Sequence, residues 1–509
     1  MMTPRKLIVV LGAFLVPLIS AAGGIQAQAS TVTGWAPDAR VPGYLDDTYT
    51  PFLLADQTGV VHAFASQSVS GVKDKAIVYR QWSLEGGWTR PVDILIAPNG
   101  DATLLGVHLD VNGVMHIIFE GPTGIGSGIY YSKADAVVAD LAASWTPPLL
   151  VGGGSYRLNS TSNSAAITGD EQGNLVIIYS GNKDGPGVYY LTSPDAGENW
   201  SEPSAIYLTY DYDLVPNTLR LAMGPNRQVR AAWSVVNTSA IDQVLYFANY
   251  SMPDLRWSTP LNLDSRIELP EYWGPSYPAL VDNGKDIIIL YNGGNPYAGQ
   301  YVGQGRPVMR SMVSNDGGLS WTGPGNPFPL LNGRSGEHAL ATDSLRGVHG
   351  LFVMRIDTGL SGSNPIGGIW HSRYFDGLWG VPDRIVTSVA PHDVRAVVVQ
   401  GNVLLVLWRE DPGDGMSGIW FSYSILDVPE VAIIPLPLQS ASTGISTNAD
   451  PTLPQSQNPP SASPVNNNEV ILSAPSMQKS NPALSIFAGA LPAIILLFGL
   501  FAAYRLLKR

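Results

Sequence analysis

One short signature recurs six times along the chain and limits the fold more than any other feature. A tryptophan is followed two or three residues later by a proline and a strand-like run, first at Trp88 and last at Trp379. Successive tryptophans of this signature are 57, 55, 57, 64 and 58 residues apart. A period of this size is typical of propeller blades, in which each unit buries its apolar faces against its neighbours.

Each repeat contains further apolar segments ahead of its tryptophan. One follows a turn, as in GVVHAFA from Gly59 and GNLVIIYS from Gly173, and it occurs seven times. The next segment, as in GVYYLTS from Gly187, is rich in aromatic and β-branched residues. Such alternating, bounded runs indicate strands. The sequence therefore predicts an all-β fold, a β-propeller of four-stranded blades.

The number of blades follows from a mismatch between the two signatures. Seven second strands are followed by only six Trp-Pro strands, and the segment with Trp35 and Pro37 near the N-terminus resembles the missing one. We expect this N-terminal strand to close the last blade, which would remove an open sheet edge. Seven blades are predicted, with six as the alternative if one unit is irregular.

The two ends of the chain predict targeting segments. Residues 1–29 resemble a secretory signal peptide, with Arg5 and Lys6 before an apolar run and small residues near Ala29. Residues 483–504 form an uncharged apolar stretch long enough to span a bilayer, and the basic tail 505–509 fits a cytoplasmic end. The propeller is assigned to 30–428, and a Pro/Ser/Asn-rich disordered stalk to 429–482. The predicted location is the extracellular face of the cell membrane.

Composition excludes several classes of function. The chain has no cysteine, so disulfides, thiolate nucleophiles and Cys-ligated zinc are excluded. A net charge of −12 argues against nucleic-acid binding. His62, His116 and His349 recur at one position of the repeat, which indicates a fold feature and not a metal site. We expect no metal and no cofactor.

Two turns within the repeat have a composition that suggests chemistry. SPDAGENW spans Ser193 to Trp200 and SNDGGLSW spans Ser314 to Trp321, each between a third strand and an outer strand. An Asp in such a turn accepts backbone N–H groups, and the Gly supplies a conformation that other residues resist. We therefore interpret both as structural. The residues of this pattern are Ser193, Asp195, Gly197, Trp200, Ser314, Asp316, Gly318 and Trp321.

The pattern Ser-x-Asp-x-Gly-x-x-Trp resembles the Asp-box, or bacterial neuraminidase repeat, of sialidase-like propellers. The resemblance implies an arginine triad for a substrate carboxylate, a Tyr–Glu nucleophile pair and an aspartate acid/base. Asp74 stands near the position of the acid/base, although a solvated loop carboxylate is an equally good interpretation. Glu271 and Tyr272 would form the nucleophile pair. Tyr49 stands where the family's first arginine is expected, which departs from the pattern.

The predicted substrate-binding residues are arginines on or near inner strands of the last blades, because a guanidinium fork matches a carboxylate. They are Arg355, Arg395 and Arg409. Two functions remain open from sequence: a glycoside hydrolase of exo-sialidase type, or a non-catalytic propeller that binds glycans or proteins at the cell surface. Glycans or glycoproteins are the expected partners in both cases.

Overall fold

The computed structural model describes residues 34–69, 71, 74–156, 163–266, 273–294, 308–329, 331, 336–354, 367–388, 391–410 and 418–436. These residues form seven antiparallel sheets, and the inner strands of neighbouring sheets contact one another in a closed ring. The predicted all-β propeller with seven blades is confirmed. Three short 3-10 helices, Ala136–Val138, Ala142–Ser144 and Pro225–Arg227, interrupt the strands.

The strands are numbered along the chain, and each blade is given from the ring axis outward. Strand β1 (Ala39–Arg40) belongs to the last blade. The first three blades are β2 (Phe52–Ala55), β3 (Val61–Ser68), β4 (Lys75–Ser83), β5 (Gly87–Trp88) and β6 (Val92–Ile96); β7 (Thr103–Leu109), β8 (Val114–Thr123), β9 (Gly126–Asp135) and β10 (Leu149–Gly153); and β11 (Ala165–Gly169), β12 (Leu175–Gly181), β13 (Gly187–Ser193) and β14 (Ser204–Leu208).

The other four blades complete the ring, and the fifth has three strands among the residues described. They are β15 (Leu214–Gly224), β16 (Gln228–Asn237), β17 (Asp242–Ser251), β18 (Arg256–Trp257) and β19 (Leu261–Ser265); β20 (Ser276–Asp282), β21 (Ile287–Gly293) and β22 (Val308–Ser314); β23 (Ala339–Thr342), β24 (Val348–Met354), β25 (Gly368–Phe375), β26 (Leu378–Trp379) and β27 (Asp383–Thr387); and β28 (Pro391–Val399), β29 (Val403–Glu410), β30 (Gly418–Ile425) and β1.

The recurring tryptophans lie between neighbouring blades. Because each blade needs this contact at the same place, the tryptophans recur at a regular spacing in the sequence. Trp200 meets the ring of Tyr131 in the preceding blade at a centroid distance of 5.0 Å, and Trp321 meets Phe247 at 4.8 Å. Trp35 follows the same rule, because it packs on His371 of the sixth blade at 5.4 Å. Aromatic pairs of this kind contribute beyond the apolar area that they bury.

The N-terminal segment supplies the outer strand of the seventh blade. Ala39 and Arg40 of β1 pair with β30, and Trp35 forms a further bridge with Ser424. The first described residues of the chain therefore hydrogen-bond to the last strand of the propeller. This pairing covers the edge of β30, which would otherwise present unpaired backbone groups to solvent.

Strand direction divides the ring into two faces. The inner strands all begin at one end, which also carries the hairpins between second and third strands; we call it the upper face. The lower face carries the hairpins between first and second strands and between third and fourth strands. The turns around Asp195 and Asp316 therefore lie on the lower face.

Residues 429–436, which the sequence assigns to the start of the stalk, run across the lower face. The N–H of Val431 donates to Gln400 O and that of Ile434 to Gln57 O, both at 2.8 Å. Leu436 is half-buried against the core between the first two blades. No helix in the described parts of the chain is long and apolar enough to cross a membrane. The predicted signal peptide and the predicted span 483–504 lie outside the described residues.

Candidate functional site

A recess opens on the ring axis where the inner strands begin. The first, second, third, sixth and seventh blades contribute to its wall. The lining residues are Tyr49, Thr50, Phe52, Thr103, Leu104, Leu105, Asn163, Glu337, Asp393, Arg395 and Arg409. A concave site with a few convergent polar groups is the usual form of a ligand-binding pocket.

Two bulged inner strands aim arginines at this axis. The pairing of β15 with β16 shifts between Asn217 and Arg220, and the pairing of β28 with β29 shifts between His392 and Arg395. The residues inside these bulges have positive φ, 49° at Thr218 and 38° at Asp393. A bulge redirects the side chains that follow it. Arg220 and Arg395 therefore occupy equivalent positions in the fourth and seventh blades.

Glu337 from the sixth blade joins these two arginines. Its Oε2 lies 3.0 Å from Nη2 of Arg220 and is also ion-paired with Nη2 of Arg395. The residue is 2% exposed. Burial alone would raise the pKa of Glu337, but the charges of Arg395 and Arg220 outweigh it and leave that pKa lowered. Glu337 is therefore an ionised carboxylate shared by two guanidinium groups.

Asn163 and His338 complete the surroundings of this cluster. With its amide oriented to satisfy both partners, Asn163 donates to Leu105 O at 3.0 Å and accepts from Nη1 of Arg220. Burial lowers the pKa of His338 to about 3, so its imidazole is neutral near pH 7. The arginine cluster therefore gains no further positive charge from this histidine.

Asp393 is a second carboxyl group in the recess, and its environment is different. Its Oδ1 accepts the N–H of Glu337 at 3.2 Å. Removal from water, followed by the negative charge of Glu337, raises the pKa of Asp393, although Arg395 acts in the opposite direction. Two carboxyl groups with pKa values shifted in opposite directions resemble the arrangement by which enzymes separate acid and base roles.

Arg409, near the end of β29, contributes a third guanidinium group to the recess. Its Cζ lies 5.9 Å from the centre of the Tyr49 ring. Its buried Nε has no hydrogen-bond partner, and no carboxylate of the described chain forms an ion pair with it. Nζ of Lys75 lies 4.3 Å from the centre of the same ring but is paired with Asp47 at 3.1 Å. Arg409 thus retains capacity to bind an anion.

The residues predicted from sequence fall into three groups. Arg395 and Arg409 both line the recess, and Tyr49 lies beside them. Asp74 lies partly buried directly before β4 and is not among the lining residues. Glu271, Tyr272 and Arg355 lie outside the described residues. The structure therefore brings together two of the three predicted arginines. Of these two, only Arg395 forms an ion pair with Glu337.

The two turns with the pattern Ser-x-Asp-x-Gly-x-x-Trp lie on the lower face, far from the start of the inner strands. Oδ1 of Asp316 accepts the N–H groups of Leu319 and Ser320 at 3.1 and 2.9 Å. Hydrogen bonds from Ser320 and Ser314 lower the pKa of Asp316 to about 2. Asp195 accepts the N–H of Asn199 at 2.9 Å in the same way. Oγ of Ser193 and Ser314 accepts the N–H of Gly197 and Gly318, respectively, at 2.9 and 2.8 Å.

The recurring histidines belong to a second type of lower-face turn. Nε2 of His62 lies 3.1 Å from Oδ2 of Asp56, six residues earlier, and Nδ1 lies 2.7 Å from the Tyr79 hydroxyl. His116 and His349 are placed in the same way beside Asp110 and Asp343. Each histidine bridges a turn to the third strand of its own blade. Within the described parts of the chain no cluster of three or more metal-binding side chains is found.

Sequence analysis missed Arg220, Glu337 and Asp393. A signal for the first existed: PNTLR, ending at Arg220, matches PHDVR, ending at Arg395, at the same place in two inner strands. Because Arg395 was already a predicted site residue, the same motif could have identified Arg220 as a second one. Glu337 carries no such signal, since its significance depends on partners contributed by two other blades.

Solved structures with the same overall fold include glycan-acting enzymes. The chain is similar to an ulvan lyase of polysaccharide lyase family PL25 bound to -[GlcA(1-4)Rha3S]-, with TM-score 0.50, 14% identity, and coverage of 78% of this chain and 97% of that one. It is also similar to a leech intramolecular trans-sialidase complexed with 2,7-anhydro-Neu5Ac, with TM-score 0.40, 10% identity, and coverage of 79% and 70%.

At 14% identity, the similarity to the ulvan lyase shows a common fold and nothing of the chemistry. No protein-family model matches the chain, and no curated protein sequence matches it. Fold alone does not determine chemistry, so a functional conclusion has to rest on the recess itself.

Proposed function

We propose that the protein binds anionic glycans and that Arg409 holds a sugar carboxylate in the recess. The observation that carries the proposal is the contrast among the three guanidinium groups. Arg220 and Arg395 are both engaged by Glu337, whereas Arg409 has no carboxylate partner among the described residues. Buried or half-buried arginines are usually paired, so a guanidinium left without a carboxylate beside a recess favours an external anion.

The chemistry of the wall supports a sugar as that anion. The wall of the recess includes the aromatic side chains of Tyr49 and Phe52, and ligand sites are commonly lined by aromatic residues with a few polar groups. The guanidinium groups of Arg395 and Arg409 line the recess together with the carboxyl groups of Glu337 and Asp393, and the pKa of Asp393 is raised. The recess is therefore cationic in a protein whose overall charge is negative.

The fold comparison supplies a matching ligand class. The similar ulvan lyase was solved with a ligand that contains glucuronate, a sugar with a carboxylate. We extend to this chain only the class of a carboxylated glycan, to which sialic acids also belong. Hydrolysis of exo-sialidase type is the second candidate, and the presence of both Arg395 and Arg409 at the recess favours it, because the resemblance implies an arginine clamp.

We also propose that the propeller is displayed outside the cell on a C-terminal membrane anchor. The apolar segment 483–504 and the basic residues after it support this location. Fractionation of cells should find the full-length protein in membranes, and protease added outside should release the propeller. Full-length protein in the soluble fraction would contradict the anchor.

The binding proposal is tested with Arg409→Met in the full chain. Titration with polyglucuronate, polysialic acid and neutral dextran should show binding to a carboxylated polymer only. Loss of a charge-assisted contact should weaken that binding about 10- to 100-fold. Arg256→Met is the matched control, because Arg256 is exposed on the lower face and should leave the dissociation constant unchanged.

The outcome that contradicts the proposal is equally specific. If Arg409→Met binds the carboxylated polymer as tightly as the parent, the carboxylate is held elsewhere. For the second candidate, Tyr272→Phe and Glu271→Gln should each abolish release of a fluorescent aglycone from an aryl sialoside. Hydrolysis that survives both changes would exclude this nucleophile assignment.

A further inference from the structure

The recess contains a carboxyl group that neither the fold nor the arginine cluster requires. Oδ1 of Asp393 accepts the N–H of Glu337, but Oδ2 has no hydrogen-bond partner among the described residues. Asp393 lines the recess together with Arg409. An oxygen without a partner on the wall of the recess is available to a ligand.

The bulge in β28 does not require an aspartate at position 393. The equivalent bulge in β15 has Thr218 at the corresponding position, also with positive φ. A left-handed backbone is uncommon for any residue with a Cβ and marks functional sites more often than chance. Because threonine satisfies the same bulge in the fourth blade, the carboxyl group of Asp393 is not needed to form it.

The neighbouring backbone is shaped to hold this carboxyl group. A Cβ at Gly336 would lie 2.9 Å from Oδ1 and 3.0 Å from the backbone nitrogen of Asp393. Glycine therefore permits the close approach that brings the Glu337 N–H to Oδ1. The side chain of Asp393 is thus held at Oδ1, and the residue forms part of the wall of the recess.

We propose that Asp393 is the proton donor for hydrolysis of a glycosidic bond in the recess, acting on the glycan whose carboxylate Arg409 binds. The inference rests on the proposed function, since it assumes that a carboxylated glycan occupies the recess. It differs from the expectation for Asp74, because a different residue on a different blade would deliver the proton.

The proposed step consumes one water molecule. The proton on Oδ2 of Asp393 moves to the glycosidic oxygen while the bond between that oxygen and the anomeric carbon breaks. The bonding electron pair stays with the departing oxygen. Water then gives its hydroxyl to the anomeric carbon and its remaining proton to Asp393, which restores the acid.

The charged groups around Asp393 determine its pH range. Removal from water and the charge of Glu337 raise its pKa, whereas Arg395 and His392 lower it. The protonated form therefore persists above the ordinary range of a carboxyl group. Activity should fall as pH rises through this raised pKa, because the ionised carboxylate has no proton to give.

The test compares substrates that carry the same acidic sugar on different leaving groups. A methylumbelliferyl sialoside and a methylumbelliferyl glucuronide depart without assistance, whereas sialyllactose and a glucuronate disaccharide need a proton on the leaving oxygen. In the full chain, Asp393→Asn should lower kcat on at least one of the two sugar-linked substrates by about 100-fold or more. On the methylumbelliferyl substrate with the same acidic sugar, it should lower kcat by less than about 10-fold. The alkaline fall of the pH profile should disappear.

Two further variants separate catalysis from structure. Asp393→Thr copies the residue of the equivalent bulge and should give the same leaving-group pattern in a folded protein. Asp74→Asn is the matched control and should affect both leaving groups less than Asp393→Asn does. Both Asp393 variants should bind polyglucuronate or polysialic acid within about threefold of the parent.

Several results would overturn the proposal. If Asp393→Asn lowers kcat equally on the sugar-linked and the aryl substrates, the role of Asp393 is structural. If Asp74→Asn instead lowers kcat much more on the sugar-linked substrates than on the aryl substrates, Asp74 is the proton donor. Binding of a carboxylated polymer without hydrolysis of any of the four substrates would reject Asp393 as a proton donor and leave the proposed binding function intact. Absence of both binding and hydrolysis would reject the two proposals together.

Discussion

Replacing Glu337 with Gln should destabilise the propeller, because Glu337 is the carboxylate shared by Arg220 and Arg395. The side chain of Glu337 is 3% exposed, and those of the two arginines are 15% and 16% exposed. Breaking a buried ion pair by removing one partner costs about 3–5 kcal/mol. Arg395 lines the recess, and both guanidinium groups are partly exposed, so they can regain some water. We therefore expect a loss of about 2–4 kcal/mol.

The assay is equilibrium unfolding of the full chain in guanidinium chloride, followed by tryptophan fluorescence. The triple variant Glu337→Gln/Arg220→Met/Arg395→Met should recover much of the loss, because no unpaired charge remains. Glu198→Gln is the surface control. It removes an ion pair with Lys133 at 2.6 Å in which the Glu198 side chain is 69% exposed, and it should cost less than about 1 kcal/mol.

The pH dependence gives an independent check. The pKa of Glu337 is lowered in the folded protein, so its ion pairs stabilise the fold above the pKa of the unfolded chain, near 4. That stabilisation is lost as pH falls through the folded value. The difference between parent and Glu337→Gln should therefore shrink in acid. A variant that unfolds within about 0.5 kcal/mol of the parent at pH 7 would refute the reasoning.

Two further predictions concern the turns and the closure of the ring. Asp316→Ala should lower the melting temperature, because the N–H groups of Leu319 and Ser320 lose their acceptor, while glycan binding at the recess should persist. The pKa of Asp316 is lowered to about 2, so its contribution should be present above pH 4 and fade toward pH 2; a pH-independent difference would contradict this. A chain that begins at Tyr44 lacks β1 and should aggregate, because the edge of β30 is then exposed. Light scattering equal to that of the parent would argue against a closing role for β1.

The propeller could be predicted because its repeat has a physical cause that operates in every blade. A tryptophan in the outer part of each blade contacts the preceding blade, and Trp35 does so at the junction that closes the ring. Such a contact depends on one residue type at one position, and it therefore leaves a period in the sequence. The strands buried on both faces add continuous apolar runs such as β21, in which every residue is buried.

The recess could be predicted only in part, because its residues act in combination. Arg395 and Arg409 were found from their positions near inner strands, but sequence could not distinguish an arginine paired with Glu337 from one without a carboxylate. The raised pKa of Asp393 depends on a carboxylate from the sixth blade and on a bulge in the seventh. The bulge leaves a local pattern, because PHDVR resembles PNTLR of the fourth blade, but the approach of Gly336 to Asp393 leaves none.

The last prediction concerns where the chain leaves the propeller. Residues 429–436 cross the hairpins of the lower face, where Oγ of Ser344 donates to Pro429 O at 2.5 Å and Val431 and Ile434 donate to the blades that follow. The chain therefore begins its C-terminal segment on the face opposite the recess.

Hydrogen exchange tests this placement within one short segment. The amides of Val431 and Ile434 donate to carbonyl groups at 2.8 Å, whereas those of Ala432 and Ile433 have no such partner. The first two should exchange more slowly, because an amide exchanges only when its hydrogen bond opens. Protection should persist after proteolytic removal of the residues beyond Ser440. Equal, fast exchange at all four positions would show that the segment does not stay on the lower face, and the stalk would then begin at Pro429.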